Sequence, residues 1–250
     1  MTMAFAKPTK VGVVGKVRCT VFVLLAIFYV SSGFLTSVCS AQQTNELIPD
    51  TENKQLLVNW LYGAYVPTDI PLTPMTFQNR LKLYERQTFT TPGIYLKSGF
   101  LGALDQSKGD PEEWGGGMEG YDRRVASSYG QSLIQNSLSA TGNALLQYEP
   151  RYDRCRCSGV WHRTRHAFMR NFLTYNKSEE ELRPQFALYG AAFSSGMISS
   201  TWKPKGEVWE QGSRGMLTQA EFGLVSNWVG EFAPEITRVL HRNHSHSSQN

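Results

Sequence analysis

Apolar positions recur with helical spacing through most of the chain after residue 75. Tyr121, Val125 and Tyr129 follow one another at steps of four, and comparable spacing continues as far as Pro150. A period near 3.6 residues is typical of amphipathic helices, whereas strands show alternation with a period of two. No stretch of the sequence sustains that alternation with β-branched residues. The pattern therefore predicts an all-α, mostly helical protein with few strands.

Turn and cap residues divide this region into separate helices. Helices are predicted over residues 77–87, 92–104, 121–149, 161–175, 185–202 and 214–230. Thr73 is the predicted cap of the first helix. Residues 105–120 are dense in Gly and Pro and predict an exposed loop. The segment EFAPEITRVL is interpreted as a separate piece of chain that closes the domain.

Small residues lie between the apolar positions of several helices. Examples are Ser127 and Ser128, and later Gly190, Ala192 and Gly196. Such residues allow neighbouring helices to approach closely, so residues 75–240 are predicted to form a single compact domain of packed helices. The last two predicted helices would also suit packing against a membrane, where small residues govern helix contact. Neither reaches the roughly 20 apolar residues needed to span a bilayer.

The N-terminal residues 1–41 have the three parts of a secretory signal peptide. Four basic residues precede an apolar run from Val21 to Val30, and Cys39 and Ala41 supply small side chains at a cleavage site. The apolar run is too short for a membrane anchor, and a lipid-modified Cys39 is the alternative. We therefore expect export to the periplasm or cell envelope, with outer-membrane association as one location within it.

Two polar segments flank the predicted domain. Residues 42–74 begin polar and become Pro-rich, and they are interpreted as a linker or as an arm packed on the domain. Residues 241–250 form a polar tail that we expect to be disordered. With the signal removed, about 209 residues remain, which is enough for one domain with a core.

Removal of the signal peptide also changes the charge balance. The chain has 25 Lys and Arg against 21 Asp and Glu, and residues 1–41 hold four of the bases and none of the acids. The remainder therefore has 21 of each sign. Because the exported part is nearly neutral, no nucleic-acid partner is expected, and any charge argument must be local.

The densest group of candidate chemical residues lies in residues 151–170. Cys155, Cys157, His162 and His166 could hold a metal ion such as zinc, because histidines four apart share one helix face. A spacing of one residue makes it difficult for both sulfurs to reach one ion. The alternatives are a disulfide between the two cysteines, which would be structural or redox-active, and buried free thiols with no special chemistry.

The same segment is strongly basic. Its candidate anion-binding residues are Arg151, Arg154, Arg156, Arg163, Arg165 and Arg170. Guanidinium groups bind phosphate and other oxyanions with two hydrogen bonds, so an anionic lipid headgroup or a polyanion is a predicted partner. The alternative is internal: residues 105–122 carry a net charge of minus five against plus five for residues 151–170, so the two segments could face each other.

Three segments resemble a family of uncharacterised exported bacterial proteins. They are YEPRYDRCRCSGVWHRTRHA, YGAAFSSGMISSTWKP and NWVGEFAPEI, and the resemblance covers roughly residues 90–240. No activity is established for that family. The resemblance therefore implies export and an envelope location, and it assigns no functional residue.

Three functional hypotheses follow from the sequence. The preferred one is a non-enzymatic helical envelope protein, held at a membrane surface, bound to an envelope protein or assembled as a homo-oligomer. The second is a metal-binding or redox-active protein that uses the Cys/His group. The third is a hydrolase that uses Glu221 or Glu231, which lie on or beside an apolar helix; no recognised catalytic motif supports it.

Overall fold

Long helices form nearly all of the structure. The computed structural model describes residues 65–66, 74–176, 181–204 and 206–247, all within a unit that spans Glu52–Asn250. The helices in these residues are α1 (Phe77–Glu85), α2 (Pro92–Lys108), α3 (Gly117–Leu145), α4 (Val160–Phe172), α5 (Phe186–Ser199) and α6 (Val208–Ser247). The predicted mostly helical fold is confirmed.

Short elements connect these helices. A π-helical turn, Arg86–Thr90, follows α1, and a 3₁₀ turn, Glu112–Trp114, lies between α2 and α3. Two small sheets are present: β1 (Tyr65–Val66) pairs in parallel with β2 (Tyr152–Asp153), and β3 (Leu173–Tyr175) pairs antiparallel with β4 (Leu182–Pro184). The first sheet attaches two residues of the predicted Pro-rich arm to the domain.

Several helix boundaries differ from the predicted ones. Helix α1 is capped by Thr76, whose hydroxyl accepts a hydrogen bond from the Asn79 N–H at 3.3 Å, and not by Thr73. Helix α4 ends at Phe172 because the next three residues pair as β3 with β4. Residues 1–41 and most of residues 42–74 lie outside the described part of the chain, so the signal peptide stays a prediction.

Helix α6 is much longer than predicted. It runs through Pro234 and continues to Ser247, into the residues predicted to be a disordered tail. A proline inside a helix removes one backbone hydrogen bond. Here the helix is held from outside on either side of Pro234, because Arg163 donates to the Glu231 carbonyl and to the Glu235 carboxylate.

The larger helices pack in antiparallel pairs. Trp202 Nε1, just after α5, donates to Ser127 near the start of α3, while Ala187 at the start of α5 lies beside Gly142 at the end of α3. The N-terminal half of α6 packs against α5, and its C-terminal half packs against α4. Helix α6 therefore joins the two parts of the domain.

Small side chains form the contacts between these helices. Ala192, Ser195 and Ser199 of α5 are completely buried. A Cβ at Gly196 would overlap the backbone carbonyl of Gln211 in α6, and a Cβ at Gly102 of α2 would overlap Val125 of α3. The helix backbones therefore approach at distances that only glycine permits at these two positions.

Large apolar side chains are correspondingly exposed. Examples are Trp161 at 75%, Trp209 at 68% and Leu217 at 63% of their full accessible surface. The buried apolar residues of the described part are fewer, and five of them are alanines: Ala167, Ala187, Ala191, Ala192 and Ala233. No helix among the described residues is both long and apolar enough to cross a membrane.

The predicted exposed loop after α2 is organised by one buried arginine. Arg124 of α3 is 1% exposed, and its guanidinium donates to the carbonyls of Asp110, Pro111 and Gly115 at 2.7–2.9 Å. The side chains of Glu112 and Glu113 in the same loop are exposed, as predicted. The loop is thus exposed on its outer side and anchored by its backbone.

Two glycines of α5 test the importance of the close helix contact. We expect Gly196→Ala to lower the free energy of unfolding by about 2 kcal/mol, because the methyl group would push α5 away from α6. Gly190→Ala should instead raise it by up to about 1 kcal/mol, because alanine favours the helix and no atom lies within 4 Å of its Cβ position. Urea unfolding followed by circular dichroism measures both. Equal effects of the two substitutions would contradict the packing described.

Candidate functional site

Residues 151–170 lie against the C-terminal half of α6. Strand β2 and the following loop lead into α4, which runs antiparallel to α6. Asn227 Nδ2 donates to the Ala167 carbonyl at 3.3 Å, and Asn171 Nδ2 donates to the Ala220 carbonyl at 3.1 Å. These contacts fix the register of α4 on α6 and place the predicted site residues around that interface.

Cys155 and Cys157 form a disulfide, which was one of the predicted alternatives. The backbone N–H of Cys157 also points at the Cys155 sulfur, at 3.2 Å. With both sulfurs joined to each other, neither is a thiolate that could bind zinc. Among the described residues, no group of three or more His, Cys, Asp or Glu side chains is arranged to hold a metal ion. The geometry gives the metal hypothesis no support.

The two histidines occupy different environments. His162 is exposed, whereas His166 is half-buried, with Nε2 2.8 Å from the Asp153 carbonyl oxygen. The imidazole of His166 also packs edge-on against the Tyr152 ring, with centroids 5.9 Å apart. His166 therefore holds β2 against α4, and His162 faces solvent one turn earlier.

Three of the six predicted anion-binding arginines have internal partners. Arg151 makes a two-pronged contact with Glu149, at 2.6 and 2.8 Å. Arg170 is 4% exposed, pairs with Asp153 at 2.5 Å and lies over the Tyr175 ring at 4.5 Å. Arg163 pairs with α6, as described below. These three guanidinium groups stabilise the fold and are not presented to an external anion.

Two other predicted anion-binding arginines, Arg156 and Arg165, are exposed. Arg154 is half-buried, as Arg151 and Arg163 are, and its charge acts on the Glu235 carboxylate. The predicted cluster of six is therefore divided into an internal set and an outward pair. The alternative that residues 105–122 face residues 151–170 gains no support from Asp110 or Arg163. Asp110 pairs with Arg214 at 2.8 Å, and Arg163 pairs with Glu231 and Glu235.

Glu231 is the buried centre of this region. Its carboxylate is 0% exposed and accepts hydrogen bonds from the Tyr152 hydroxyl at 2.7 Å, the Cys155 N–H at 3.1 Å and Arg163 Nε at 3.1 Å. Each donor comes from residues 152–163, so one carboxylate of α6 organises the whole loop. Glu221 is exposed, and the predicted pair of buried carboxylates does not form.

The electrostatics of this cluster favour fixed charges over proton transfer. Burial, followed by the hydrogen bond to Glu231, raises the pKa of Tyr152 far above its usual range. The hydrogen bond from Arg163 lowers the pKa of Glu235. A neutral phenol and carboxylates paired with a permanently charged guanidinium are typical of a structural network.

Substitutions of Glu231 and Glu221 compare a buried glutamate that holds the fold together with an exposed one that does not. We expect Glu231→Gln to lower the free energy of unfolding by about 3 kcal/mol, because it removes the fully buried one of the two carboxylates that pair with half-buried Arg163. Glu221→Gln, on the exposed side of the same helix, should change it by less than about 0.5 kcal/mol. Thermal unfolding monitored by circular dichroism compares them. If Glu231→Gln left the free energy of unfolding unchanged, the hydrogen-bond network around Glu231 would be dispensable for stability.

Comparison of the chain with protein-family models, with curated proteins and with solved structures finds no match. The resemblance to exported bacterial proteins therefore stays a prediction, and no residue role is transferred to this chain from elsewhere. What residues 151–170 do has to be argued from their contacts: an inner set of side chains holds α4 to α6, and an outer set faces away from the domain.

Proposed function

We propose that this protein is an exported, non-enzymatic protein of the cell envelope that docks on an anionic membrane surface. The docking face consists of Trp161, Arg165, Phe168 and Phe172 of α4, and of Leu217, Val225 and Trp228 of α6. The signal-like residues 1–41 support export. The observation that carries the docking proposal is the row of exposed apolar side chains along these two helices.

The α4 part of the docking face is an apolar row with one cation in it. Trp161 is 75% exposed, Phe168 52% and Phe172 37%. Steps of seven and four residues place all three on one side of the helix. The exposed Arg165 lies in the same row, between Trp161 and Phe168. This side of α4 is turned by about 100° from Ala167 and Asn171, which contact α6.

The α6 part of the docking face lies beside it. Leu217 is 63% exposed, Val225 59% and Trp228 46%. In an antiparallel pair of helices such as α4 and α6, the residue that follows an interface residue points to the same side of the pair on both helices. Phe168 follows Ala167, and Trp228 follows Asn227, whose side chains are at the interface. The two rows therefore form one continuous apolar surface.

The chemistry of the docking face fits an interfacial membrane position. Tryptophan and phenylalanine beside arginine is the composition of elements that lie in the headgroup region. Arg165 is exposed and would meet lipid phosphates, contributing about 1 kcal/mol near an anionic surface. Glu221 is an exposed acid within the α6 row, between Leu217 and Val225. The aromatic side chains together with Arg165 are the basis for proposing a bilayer over a neutral protein partner.

Vesicle binding tests this function directly. We expect the protein, recovered from the periplasm of an expressing bacterium, to sediment with vesicles of phosphatidylglycerol and phosphatidylethanolamine. The triple variant Trp161→Ser, Phe168→Ser, Trp228→Ser should bind at least about tenfold more weakly, because three large side chains no longer enter the interface. Added salt should weaken binding of the unmodified protein by screening Arg165.

A second triple variant controls for loss of exposed apolar surface in general. Phe77, Met118 and Leu145 are 67–78% exposed and lie on α1 and α3, outside the docking face. Their replacement by serine should leave vesicle binding unchanged. Failure of the unmodified protein to sediment would refute the proposal. The proposal would also be refuted if the protein did not bind vesicles but formed a concentration-dependent dimer that only the first triple variant abolished. The docking face would then join two copies of the chain.

A further inference from the structure

A cavity of about 510 Å³ lies between the helices, and no docking-face residue lines it. Its walls come from all six of the described helices, and residues 149–152 close one side. The volume is within the range of pockets that hold small molecules, about 300–1,000 Å³. The cavity is partly open to solvent, so a small molecule could enter it without unfolding of a helix.

Positive charge predominates in the cavity walls. Arg80, Lys97, Arg151 and Arg170 line it against a single carboxylate, Glu149. Three of these cations have partners: Arg151 pairs with Glu149, Arg170 pairs with Asp153, and Arg80 donates to the carbonyls of Asn143 and Tyr148 at 3.2 and 2.9 Å. Lys97 is the exception.

The ammonium of Lys97 has no hydrogen bond and no ion pair within the described part of the chain. Its Nζ lies 5.4 Å from the centroid of the Phe222 ring on α6. The side chain is half-buried, and desolvation lowers the pKa of Lys97 to about 8. A partly desolvated cation that lacks a carboxylate partner is stabilised when an anion binds beside it.

Amide side chains surround the same space. Gln135 of α3 donates to Gln219 of α6 at 2.5 Å, across the cavity wall. Further amides in the walls are Gln87, Asn136 and Asn143. An amide both donates and accepts hydrogen bonds, so this lining suits a ligand with several hydroxyl groups. The rings of Phe100 and Phe222 provide an apolar surface beside them.

We propose that this cavity binds a sugar acid, a small organic anion rich in hydroxyl groups, whose carboxylate pairs with Lys97. The amides hydrogen-bond the hydroxyl groups, and the aromatic rings contact the carbon face of the sugar. The site needs no metal ion and no covalent step. It also does not depend on membrane docking, because Lys97 and the docking face lie on different helices.

The charged surroundings of Lys97 determine how binding depends on pH. On the cavity side the titratable and charged groups are Arg80, Tyr84, Glu149, Arg151, Tyr152 and Arg170. Lys97 also borders a smaller cavity of about 110 Å³, which contains Asp105, Asp110, Arg124, Lys203 and Arg214. Deprotonation of Lys97 removes the ligand's partner, so affinity should fall as the pH rises through about 8. In a Lys97 variant this fall in affinity should be absent, because the variant keeps every other titratable group but has no ammonium at this position.

Calorimetric titration with matched pairs of probes tests the site. The probes are galacturonate, glucuronate and gluconate, each compared with its neutral parent: galactose, glucose or glucitol. We expect at least one acid to bind at least about tenfold more tightly than its parent, and Lys97→Met to abolish that difference. Lys108→Met, at the exposed end of the same helix, should retain it. Lys97→Gln serves as a second variant and should behave like Lys97→Met.

Thermal unfolding without a probe distinguishes a binding role from a structural one. Because half-buried Lys97 has no carboxylate or carbonyl partner among the described residues, Lys97→Met should raise the unfolding midpoint by about 2 °C. A lower midpoint would mean that Lys97 holds the fold together, and it would overturn the proposal. So would the absence of binding by all three acids at millimolar concentration, equal affinity for each acid and its parent, or full binding by either Lys97 variant. Vesicle binding should not change in any of these proteins.

Discussion

The close approach of helix backbones is the constraint on which the rest of this structure depends. Gly196 lies against the Gln211 carbonyl, and Gly102 lies against Val125, so the helices meet without large side chains between them. Ala192, Ser195 and Ser199 are fully buried for the same reason. Little interior volume remains for the tryptophans, phenylalanines and leucines of the sequence. They are exposed on the outside, and the docking face on α4 and α6 is a direct consequence of that packing.

Polar contacts replace much of the apolar core in such an interior. Arg124 holds the loop between α2 and α3 through three backbone carbonyls, and Glu231 holds residues 152–163 through three donors. In both cases a buried charge is surrounded by groups that satisfy it, which makes a network specific as well as stabilising. Lys97 departs from this rule, since no carboxylate or carbonyl in the described residues accepts from it. That departure is the reason for proposing a ligand in this cavity.

Local sequence signals predicted the helices but not what joins them. Spacing and cap residues predicted α2, α3, α4 and α5 close to their observed positions, because those signals act within a few residues. They failed at Pro234, where Arg163, distant in sequence, holds both Glu231 and Glu235 and the helix continues. They also failed at residues 173–175, where pairing with β4 ends α4. The basic segment was recognised, yet its division into inner and outer arginines depends on Glu149, Asp153 and Glu231, whose positions only the folded chain defines. Lys97 carried no signal at all, because its lack of a partner is a tertiary property.

The segment from Glu149 to Phe172 serves both proposed surfaces, and its internal contacts explain how one piece of chain can do so. Its first residues form a wall of the cavity, and its last helix carries half of the docking face. Arg170 connects the two parts, because it pairs with Asp153 and donates to the carbonyls of Arg151 and Leu173. Arg163 attaches the same segment to α6. The wall and the face are therefore held as one body, whereas Lys97 reaches the cavity from α2. Loss of Lys97 changes the chemistry of the cavity and leaves the support of the docking face intact.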